Sequence, residues 1–410
     1  MSDQPRLLRC RSCHASLDEV VLDLGERPDA DDFRPADQAG TPWPRARLDL
    51  RRCRSCSLVQ LGEPGVPPRG PHGHGALYST STSSHLVAWS LGLLGAGVVR
   101  PGERALDIGA GAGQLLRPLR EAGVEVAGLE HDPAMVALAR ADGLDVRRGT
   151  FDGPTAQALA ASGPSFDLVL LNHTLAHASD LAALVASVVA VLAPGGTVAV
   201  EMHHLLELVR LGQFDLVTPA HGSYLSLIAL EPLLAAHDLA AMAAETSPNY
   251  GGTLRLLVRR RSVGRPDPAV AAVLGEERRA ALDRPAGFTG LAQLMARTVR
   301  QVREHLDQAA ASGSPLVGYG APARGAMLLD MVGATVATLP YTVDRSPEKQ
   351  GHLLAGTDIP ILAPAVLEER RPEGILILPW PLRDEVAGQL AGLHDAGTRF
   401  SVALPSWSTW

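Results

Sequence analysis

The chain has 410 residues and a formal net charge of −7 at pH 7, with 46% hydrophobic and 20% charged residues. This length predicts two or three domains, and the composition is that of an ordinary globular protein. The acidic balance argues against nucleic acid or an anionic membrane as a partner. A polar start and the absence of any apolar run of about 18 residues lead us to expect no signal peptide and no membrane span, and hence a cytoplasmic protein.

All four cysteines lie near the start of the chain, in two Cys-x-x-Cys pairs: Cys10 with Cys13, and Cys53 with Cys56. Each pair directs two sulfur atoms at one point, and two such pairs complete the tetrahedral thiolate site that Zn²⁺ prefers. Redox pairs or free buried cysteines are the alternatives. Because four thiolates leave no open position, we expect a structural zinc in a small domain over residues 1–65.

The zinc-binding domain is predicted to contain short strands at 48–52 and 58–61. A Pro- and Gly-rich stretch from Gly62 to Gly75 then predicts a linker, and His72 and His74 within it are interpreted as loop residues. The polar run that begins at Tyr78 is predicted to open an amphipathic helix.

The stretch 105–114 predicts a buried strand, a glycine-rich turn and the start of a helix. The turn contains three glycines at alternate positions, Gly109, Gly111 and Gly113. Such a turn allows the backbone to approach a ligand closely, but dinucleotide sites and plain tight turns share it. The next predicted strand ends on Glu130, whose carboxylate can accept hydrogen bonds from both ribose hydroxyls of an adenosine group. Together with Asp107 before the first glycine, this favours S-adenosylmethionine (SAM) over NAD.

Strands and helices are predicted to alternate from Glu103 to about Arg259, as a doubly wound parallel sheet requires. Ligands bind beyond the carboxyl ends of the strands in such sheets. We therefore expect the strand-end residues to surround one crevice, with Asn172 as a further cofactor contact and His177 and Glu201 nearby. This domain is assigned to residues 66–262.

A helical connector over about 268–312 leads into a second α/β unit, so that the C-terminal domain is assigned to residues 263–410. Its first strand ends in another glycine-rich turn, formed by Gly318, Gly320 and Gly325. The turn lacks the Gly-Lys-Ser/Thr of a P-loop, which excludes an NTPase signal. It could hold a pyrophosphate beside Arg324, or it could merely pack. The complete fold prediction is α/β, with a small four-cysteine zinc domain, a doubly wound Rossmann-like SAM domain and a Rossmann-like C-terminal domain.

The order of these motifs resembles the three-domain sugar C-methyltransferases, which methylate C-3 of nucleotide-linked 4-keto-deoxysugars in the synthesis of branched antibiotic sugars. The resemblance spans nearly the whole chain. Its motifs are Tyr78 with its serine/threonine run, Asp107–Gly113, Asn172–His177, Phe214-Asp215, His221–Tyr224, Gly251–Arg255, Pro347–Gly351 and Gly356–Pro360.

The resemblance implies a base that removes the C-3 proton beside the C-4 ketone, after which the enolate attacks the sulfonium methyl group. His221 would be the base, because histidine titrates near neutral pH, and Tyr78 and His177 would position the sugar or hold the enolate. The implied substrate-binding residues are Tyr224, Tyr250, Arg255, Tyr319, Arg324 and Lys349, of which Tyr224 could alternatively be a core residue. The partner is thus a nucleotide-linked sugar or a related small molecule. The oligomeric state is not predicted, and a monomer is compatible with the sequence.

Three positions depart from the family pattern. Family members carry Tyr-His-Glu-His before a Ser-Tyr pair, whereas this chain has Thr218-Pro219-Ala220-His221. Tyr250 stands where a histidine is common, and Trp380 is followed by proline instead of asparagine. The groups that would assist the base are therefore changed. Methylation of an oxygen or nitrogen in another natural product, or a catalytically silent SAM-binding protein, are the alternative functions.

Overall fold

A computed structural model describes residues 8–63 and 75–410, and the side chains of residues 75 and 76 lie outside the description. The predicted domain boundary at 65/66, most of the predicted linker, and His72 and His74 fall outside the described residues. We call residues 8–63 the N-terminal unit, 75–262 the central unit and 263–410 the C-terminal unit. Within the described ranges, no helix combines the length and the apolar character needed to cross a membrane.

The N-terminal unit is built on an antiparallel sheet in which the last strand comes from the central unit. In spatial order the strands are Glu19–Pro28, Arg45–Arg52, Val59–Leu61 and Ser223–Tyr224. Alternating leucines of this sheet, such as Leu48 and Leu50, are buried. A two-residue strand, Arg34–Pro35, and a 3-10 turn, Ala36–Gln38, complete the unit.

The central unit contains a seven-stranded sheet. In spatial order its strands are Leu239–Ser247, Thr253–Arg260, Leu192–His203, Phe166–Asn172, Arg104–Ile108, Glu125–Glu130 and Val146–Arg148. The last five strands of this order pair in parallel, and Thr253–Arg260 is antiparallel to both of its neighbours. The continuous apolar run Leu168–Leu171 is fully buried, as expected when helices cover both faces of a parallel sheet.

Five of the helices of the central unit begin at a local side-chain cap. The helices described in this unit are Gly75–Tyr78, Thr80–Gly95, Leu116–Glu121, Pro133–Ala141, Gly153–Ser162, Leu181–Val191, Leu205–Leu211 and Leu227–Ala236, with 3-10 turns at Leu175–His177, Phe214–Leu216 and Asn249–Gly251. Asp132, Asp152 and Asp180 each accept a hydrogen bond from an amide two or three residues further on. A carboxylate is favoured there because the first amides of a helix lack partners within it.

The predicted connector consists of two helices, Pro268–Arg279 and Leu291–Ala311, joined by the 3-10 turn Pro285–Phe288. The two helices of the predicted connector are separated where Ala281 and Gly290 adopt positive φ angles of 59° and 89°. A side chain at Gly287 would also meet the carbonyl oxygen of Ala281 at 2.4 Å.

The C-terminal unit has a six-stranded sheet. In spatial order its strands are Ile361–Leu362, Thr342–Val343, Val317–Tyr319, Gly374–Ile377, Arg399–Val402 and Ser408–Thr409, of which the first five are parallel. Its helices are Ala323–Val332, Ala365–Arg370, Arg383–Gln389 and Ala391–Asp395, with a 3-10 turn at Trp380–Leu382. This parallel sheet with its helices confirms the predicted Rossmann-like α/β fold of the C-terminal unit.

The three units pack against one another through strand pairing and buried ion pairs. The strand His352–Leu353 of the C-terminal unit pairs with Arg34–Pro35 of the N-terminal unit. Arg27 and Arg45 of the N-terminal unit both bind the buried carboxylate of Asp330, at 2.8 and 2.6 Å. These contacts between units follow from no local motif, and the domain limits drawn from the sequence stay predictions.

Candidate active site

The four cysteines lie together at one end of the N-terminal unit. Their Sγ atoms all fall within 4.8 Å of one another, and the pairs Cys10–Cys56 and Cys13–Cys53 are each 3.5 Å apart. Four thiolates that surround one Zn²⁺ at about 2.3 Å have sulfur atoms separated by about 3.8 Å, so this cluster fits a tetrahedral zinc ion. The predicted structural zinc therefore agrees with the geometry.

The N-terminal unit also contacts the loop that carries His221. The amide of Leu61 donates to the carbonyl of Gly222 at 3.0 Å, and Ser223–Tyr224 continues this pairing as a strand. Arg11 lies between Cys10 and Cys13 in the sequence. Its guanidinium is so close to Gly222 that any side chain at position 222 would displace it. The zinc-binding unit thus supports the backbone on the C-terminal side of His221.

The backbone of the predicted cofactor turn has a conformation that glycine favours, and it is hydrogen-bonded to Glu130. Gly109, Gly111 and Gly113 all have positive φ angles, at 82°, 53° and 82°. The amide of Gly111 donates to Glu130 Oε2 at 2.9 Å, and the amide of Asp132 donates to Oε1 at 2.8 Å. These two bonds fix the Glu130 carboxylate at the rim of the turn, and its remaining lone pairs can accept further donors.

A cavity of about 330 Å³ lies beside this turn. Its walls include Gly109, Glu130, Phe151, Asp152 and His177. Phe151 and Asp152 were missed in the sequence analysis, although they follow the strand Val146–Arg148, which is the third parallel strand to end at this edge.

Two of the predicted cofactor residues have unsatisfied acceptors. Asp107 Oδ1 and Asn172 Oδ1 are buried, and the described chain provides neither with a hydrogen-bond partner. Burial, together with the nearby charge of Glu130, raises the pKa of Asp107 to about 7. SAM has hydrogen-bond donors on its ribose, its adenine and its amino group. The cavity, the fixed Glu130 carboxylate and these two acceptors therefore fit SAM.

A second cavity, of about 380 Å³, opens between the central and C-terminal units, and we call it the cleft. From the central unit it is lined by Tyr78, Ser79, Thr82, His203, Leu216, His221 and Tyr250, and from the C-terminal unit by Tyr319, Arg324, Asp344, Arg345, Lys349 and Glu385 among others. The fold thus brings six of the predicted site residues into one cleft. His203, Arg345 and Glu385 were not predicted, because no local motif marks them.

His221 is held in a defined tautomer. Its Nδ1 lies 3.1 Å from the carbonyl oxygen of Leu216, which can only accept, so Nδ1 carries the proton and Nε2 is left as an acceptor. The same reasoning applies to His177, whose Nδ1 lies 2.8 Å from the carbonyl oxygen of Ala220. The two rings are 5.1 Å apart. Burial and the neighbouring His177 lower the pKa of His221 to about 3, so the imidazole is neutral at neutral pH.

Arg324 points toward the central unit and is almost fully occupied there. Its guanidinium binds both oxygens of Asp215, at 2.9 and 3.2 Å, and also Gln213 Oε1 at 2.9 Å and the Tyr250 carbonyl at 3.0 Å. Four of its five N–H groups therefore have protein partners. Arg324 therefore links the C-terminal unit to the central unit. These contacts favour that linking role over the predicted role as a diphosphate ligand.

Arg255 lies among buried ionisable groups at the end of the strand Leu192–His203. It pairs with the fully buried Glu201, which also receives His85 Nε2 at 2.7 Å, and it stacks on Trp89. Burial alone would raise the pKa of Glu201, but hydrogen bonds from His173, His85 and Arg255 lower it well below its usual range. Arg255 thus compensates a buried carboxylate and is not among the residues that line the cleft.

The four remaining predicted substrate contacts occupy different environments. Tyr250 has a φ of 56° and lies edge-on to His85 and His173, with ring separations of 5.4 and 4.9 Å. Tyr319 donates to Gln389 at 2.6 Å, and Lys349 donates to the Ala321 carbonyl at 2.9 Å. Tyr224 is only 4% exposed and pairs with Val59 of the N-terminal unit, which agrees with its alternative assignment as a core residue.

Three family models match successive parts of the chain. "Putative zinc binding domain" matches residues 10–68, "Methyltransferase domain" matches 91–244 and "C-methyltransferase C-terminal domain" matches 248–405. C-methyltransferase NovU of Streptomyces niveus is 28% identical over 404 residues, which is 97% of this chain and 95% of NovU.

Two further similarities are partial. Ubiquinone biosynthesis O-methyltransferase of Cereibacter sphaeroides is 36% identical over 99 residues, 23% of this chain and 39% of that enzyme. The crystal structure of magnesium protoporphyrin IX methyltransferase from Synechocystis with bound SAM is 18% identical. It covers 44% of this chain and 78% of that one with a TM-score of 0.32, a similarity too low to support an argument.

The central sheet, the glycine turn facing Glu130 and the matched methyltransferase domain define a SAM-dependent methyltransferase with a structural zinc site. The three models follow one another in the order predicted from the motifs, and NovU aligns over nearly the whole length of the chain. Over nearly its whole length the chain is thus similar to a C-methyltransferase, and its C-terminal part matches the C-methyltransferase C-terminal domain. The predicted enzyme class and cofactors are confirmed, whereas the roles assigned to individual site residues stay predictions.

Proposed function

We propose that this enzyme transfers the methyl group of SAM to C-3 of a nucleotide-linked 4-keto-deoxysugar, with an enolate of the sugar as the nucleophile. The observation that supports this most directly is the composition of the cleft. A neutral histidine and tyrosines line it from the central unit, and Arg345 and Lys349 line it from the C-terminal unit. Such a cleft can hold a keto-sugar beside the base while cations meet a diphosphate.

His221 is the group that would accept the C-3 proton. Its Nε2 lone pair is available because Nδ1–H is bound to the Leu216 carbonyl. When the C–H bond breaks, its electron pair forms the enolate and the proton moves to Nε2. A main-chain carbonyl thus orients this ring. The pKa of about 3 in the free protein must rise in the complex, and the negative charge that develops on the enolate acts in that direction.

Tyr78 would donate a hydrogen bond to the developing enolate oxygen. Burial and the hydrogen bond that its hydroxyl donates to Glu348 Oε2 at 3.1 Å raise the pKa of Tyr78, so the hydroxyl stays protonated. Because a phenol has a single O–H, this proton must leave Glu348 when the hydroxyl donates to the enolate oxygen. Bound SAM supplies an electrophilic sulfonium methyl group for this carbon nucleophile. After transfer the ketone is restored, and His221 returns its proton to solvent.

The test is incubation with SAM that carries a ¹³C-methyl group and with a panel of TDP-linked 4-keto-sugars. We expect a product in which NMR shows the labelled methyl carbon bonded directly to a carbon of the sugar ring. A methoxy or N-methyl signal would favour heteroatom transfer instead. No transfer to any acceptor would favour a silent SAM-binding protein.

Exchange of the C-3 hydrogen in D₂O, without SAM, tests proton removal separately. We expect H221Q to slow this exchange and kcat by about 10²–10⁴-fold, the usual contribution of a general base. H237Q is the matched control, because His237 lies at the end of the helix Leu227–Ala236 and does not line the cleft. Exchange in H221Q at the wild-type rate would reject His221 as the base.

A further inference from the structure

The first turn of the helix Thr80–Gly95 is bound by a carboxylate from another unit. Glu385 lies on the helix Arg383–Gln389 of the C-terminal unit and accepts from Ser79 Oγ at 2.8 Å, from the amide of Thr80 at 3.1 Å and from the amide of Ser81 at 2.9 Å. Ser81 Oγ donates to it as well. We call these four residues the clasp.

The clasp differs from the other helix caps of the central unit. Asp132, Asp152 and Asp180 each cap the helix that directly follows them. Glu385, in contrast, is more than 300 residues away in sequence from the amides it binds. The first amides of a helix have no partner within it, and a carboxylate is the group that they bind best. Ser79 also caps this helix locally, because its Oγ accepts from the amide of Thr82 at 3.1 Å. Glu385 therefore adds a second anchor for the amides of Thr80 and Ser81, and this anchor is present only when the C-terminal unit is docked.

The clasp is adjacent to Tyr78 and continuous with the opposite wall of the cleft. Tyr78 directly precedes Ser79, the first residue of the clasp. On the other side, Gln389 donates to Glu385 at 3.0 Å and accepts from the hydroxyl of Tyr319 at 2.6 Å. A chain of hydrogen bonds thus joins a tyrosine on the C-terminal wall to the segment that carries the tyrosine on the central wall.

We propose that Glu385 is a positioning residue for methyl transfer: it fixes the backbone around Ser79–Ser81 and so places the Tyr78 hydroxyl in the cleft. Glu385 acts through Tyr78 and does not itself donate to the acceptor. The proposal rests on the proposed function for its catalytic consequence, and on the hydrogen bonds of the clasp for its structural consequence.

The structural consequence is tested by hydrogen exchange on the full-length enzyme. In E385A we expect the amides of Thr80 and Ser81 to exchange about 10-fold faster or more, because they lose their acceptor. D384N is the matched control: it removes the same charge from the neighbouring residue, whose side chain is 91% exposed. Equal exchange of these amides in E385A and D384N would overturn the proposal.

The catalytic consequence is tested by a double-mutant cycle with Y78F. We expect E385A alone to lower kcat about 10-fold or more, with the Kd for SAM changed less than about 2-fold. In the Y78F background the same substitution should cost less than about 3-fold, since the hydroxyl it positions is already absent. E385Q, which keeps one acceptor oxygen, should fall between wild type and E385A. A merely structural role would give equal losses in both backgrounds and would weaken SAM binding, and either result would refute positioning.

These results are distinguishable from a failure of the proposed function. If wild-type enzyme methylates none of the TDP-linked keto-sugars, the substrate assignment is wrong, and the amide exchange still decides whether Glu385 fixes the segment. If wild type is active and the cycle shows no coupling to Tyr78, the positioning role alone is wrong.

Discussion

Arg324 provides the sharpest test of how the site is built, because the sequence and the structure assign it different roles. Its place beside a glycine-rich turn predicted that Arg324 binds a diphosphate. In the structure its guanidinium makes four hydrogen bonds, to Asp215, Gln213 and the Tyr250 carbonyl. The Asp215 side chain is only 2% exposed, and its other donor is Trp380 Nε1 at 3.1 Å.

The substitution R324M leaves the carboxylate of Asp215 buried with one neutral donor. Removing one partner of a buried ion pair costs about 3–5 kcal/mol, because the remaining charge has lost its compensation. We expect the free energy of unfolding to fall by about that amount. In D215N/R324M no charge is left unpaired, and we expect about half of the loss to be recovered.

The assay is urea unfolding followed by tryptophan fluorescence, together with calorimetric binding of TDP to the folded variants. R383M is the control, since Arg383 is 52% exposed beside Asp384 and should change stability by less than about 1 kcal/mol. The affinity of R324M for TDP should stay within about 3-fold of wild type, because most of its donors already serve the protein. An unchanged unfolding free energy with a TDP affinity reduced about 10-fold or more would refute this reasoning and restore the diphosphate role.

Three further outcomes are expected. C53S leaves three thiolates for the zinc ion, so the zinc content should fall. Amide exchange in Ser223–Tyr224 should then accelerate, because this strand pairs with the zinc-binding unit. Unchanged exchange after zinc loss would contradict the inference that the zinc-binding unit supports the backbone beside His221. G128A places a methyl group 2.9 Å from two buried side chains behind the cofactor turn, and should cost about 1–3 kcal/mol and weaken SAM binding in calorimetry. G195A, with nothing within 4 Å, is its control and should be neutral. For His221, the folded-state pKa of about 3 lies below the ordinary 6.5, so the unfolded chain takes up a proton that the folded one refuses. Wild type should therefore lose about 2 kcal/mol relative to H221Q as the pH falls from 7 to 5 in urea titrations, and parallel curves would contradict the shift.

Local features of the sequence determined the cofactor chemistry. Two Cys-x-x-Cys pairs in one small unit are enough to predict a shared metal site, and in the structure the four Sγ atoms lie within 4.8 Å of one another. Glu130 follows the glycine turn by one helix and one strand, and a parallel sheet places consecutive strand ends side by side. For these groups, chain spacing and strand order are enough, and the α/β fold with its zinc and SAM sites was accordingly predictable.

The tertiary structure alone decided which charged groups are available to a ligand. Arg324 and Arg255 were expected to contact substrate, yet each lies against a buried carboxylate, Asp215 and Glu201, from another part of the chain. Glu385 has no motif around it, but packing of the units brings it to the first turn of a distant helix. The physical reason is that a buried carboxylate must be paired. Which side chain satisfies it depends on how whole units pack, and sequence spacing does not record that packing.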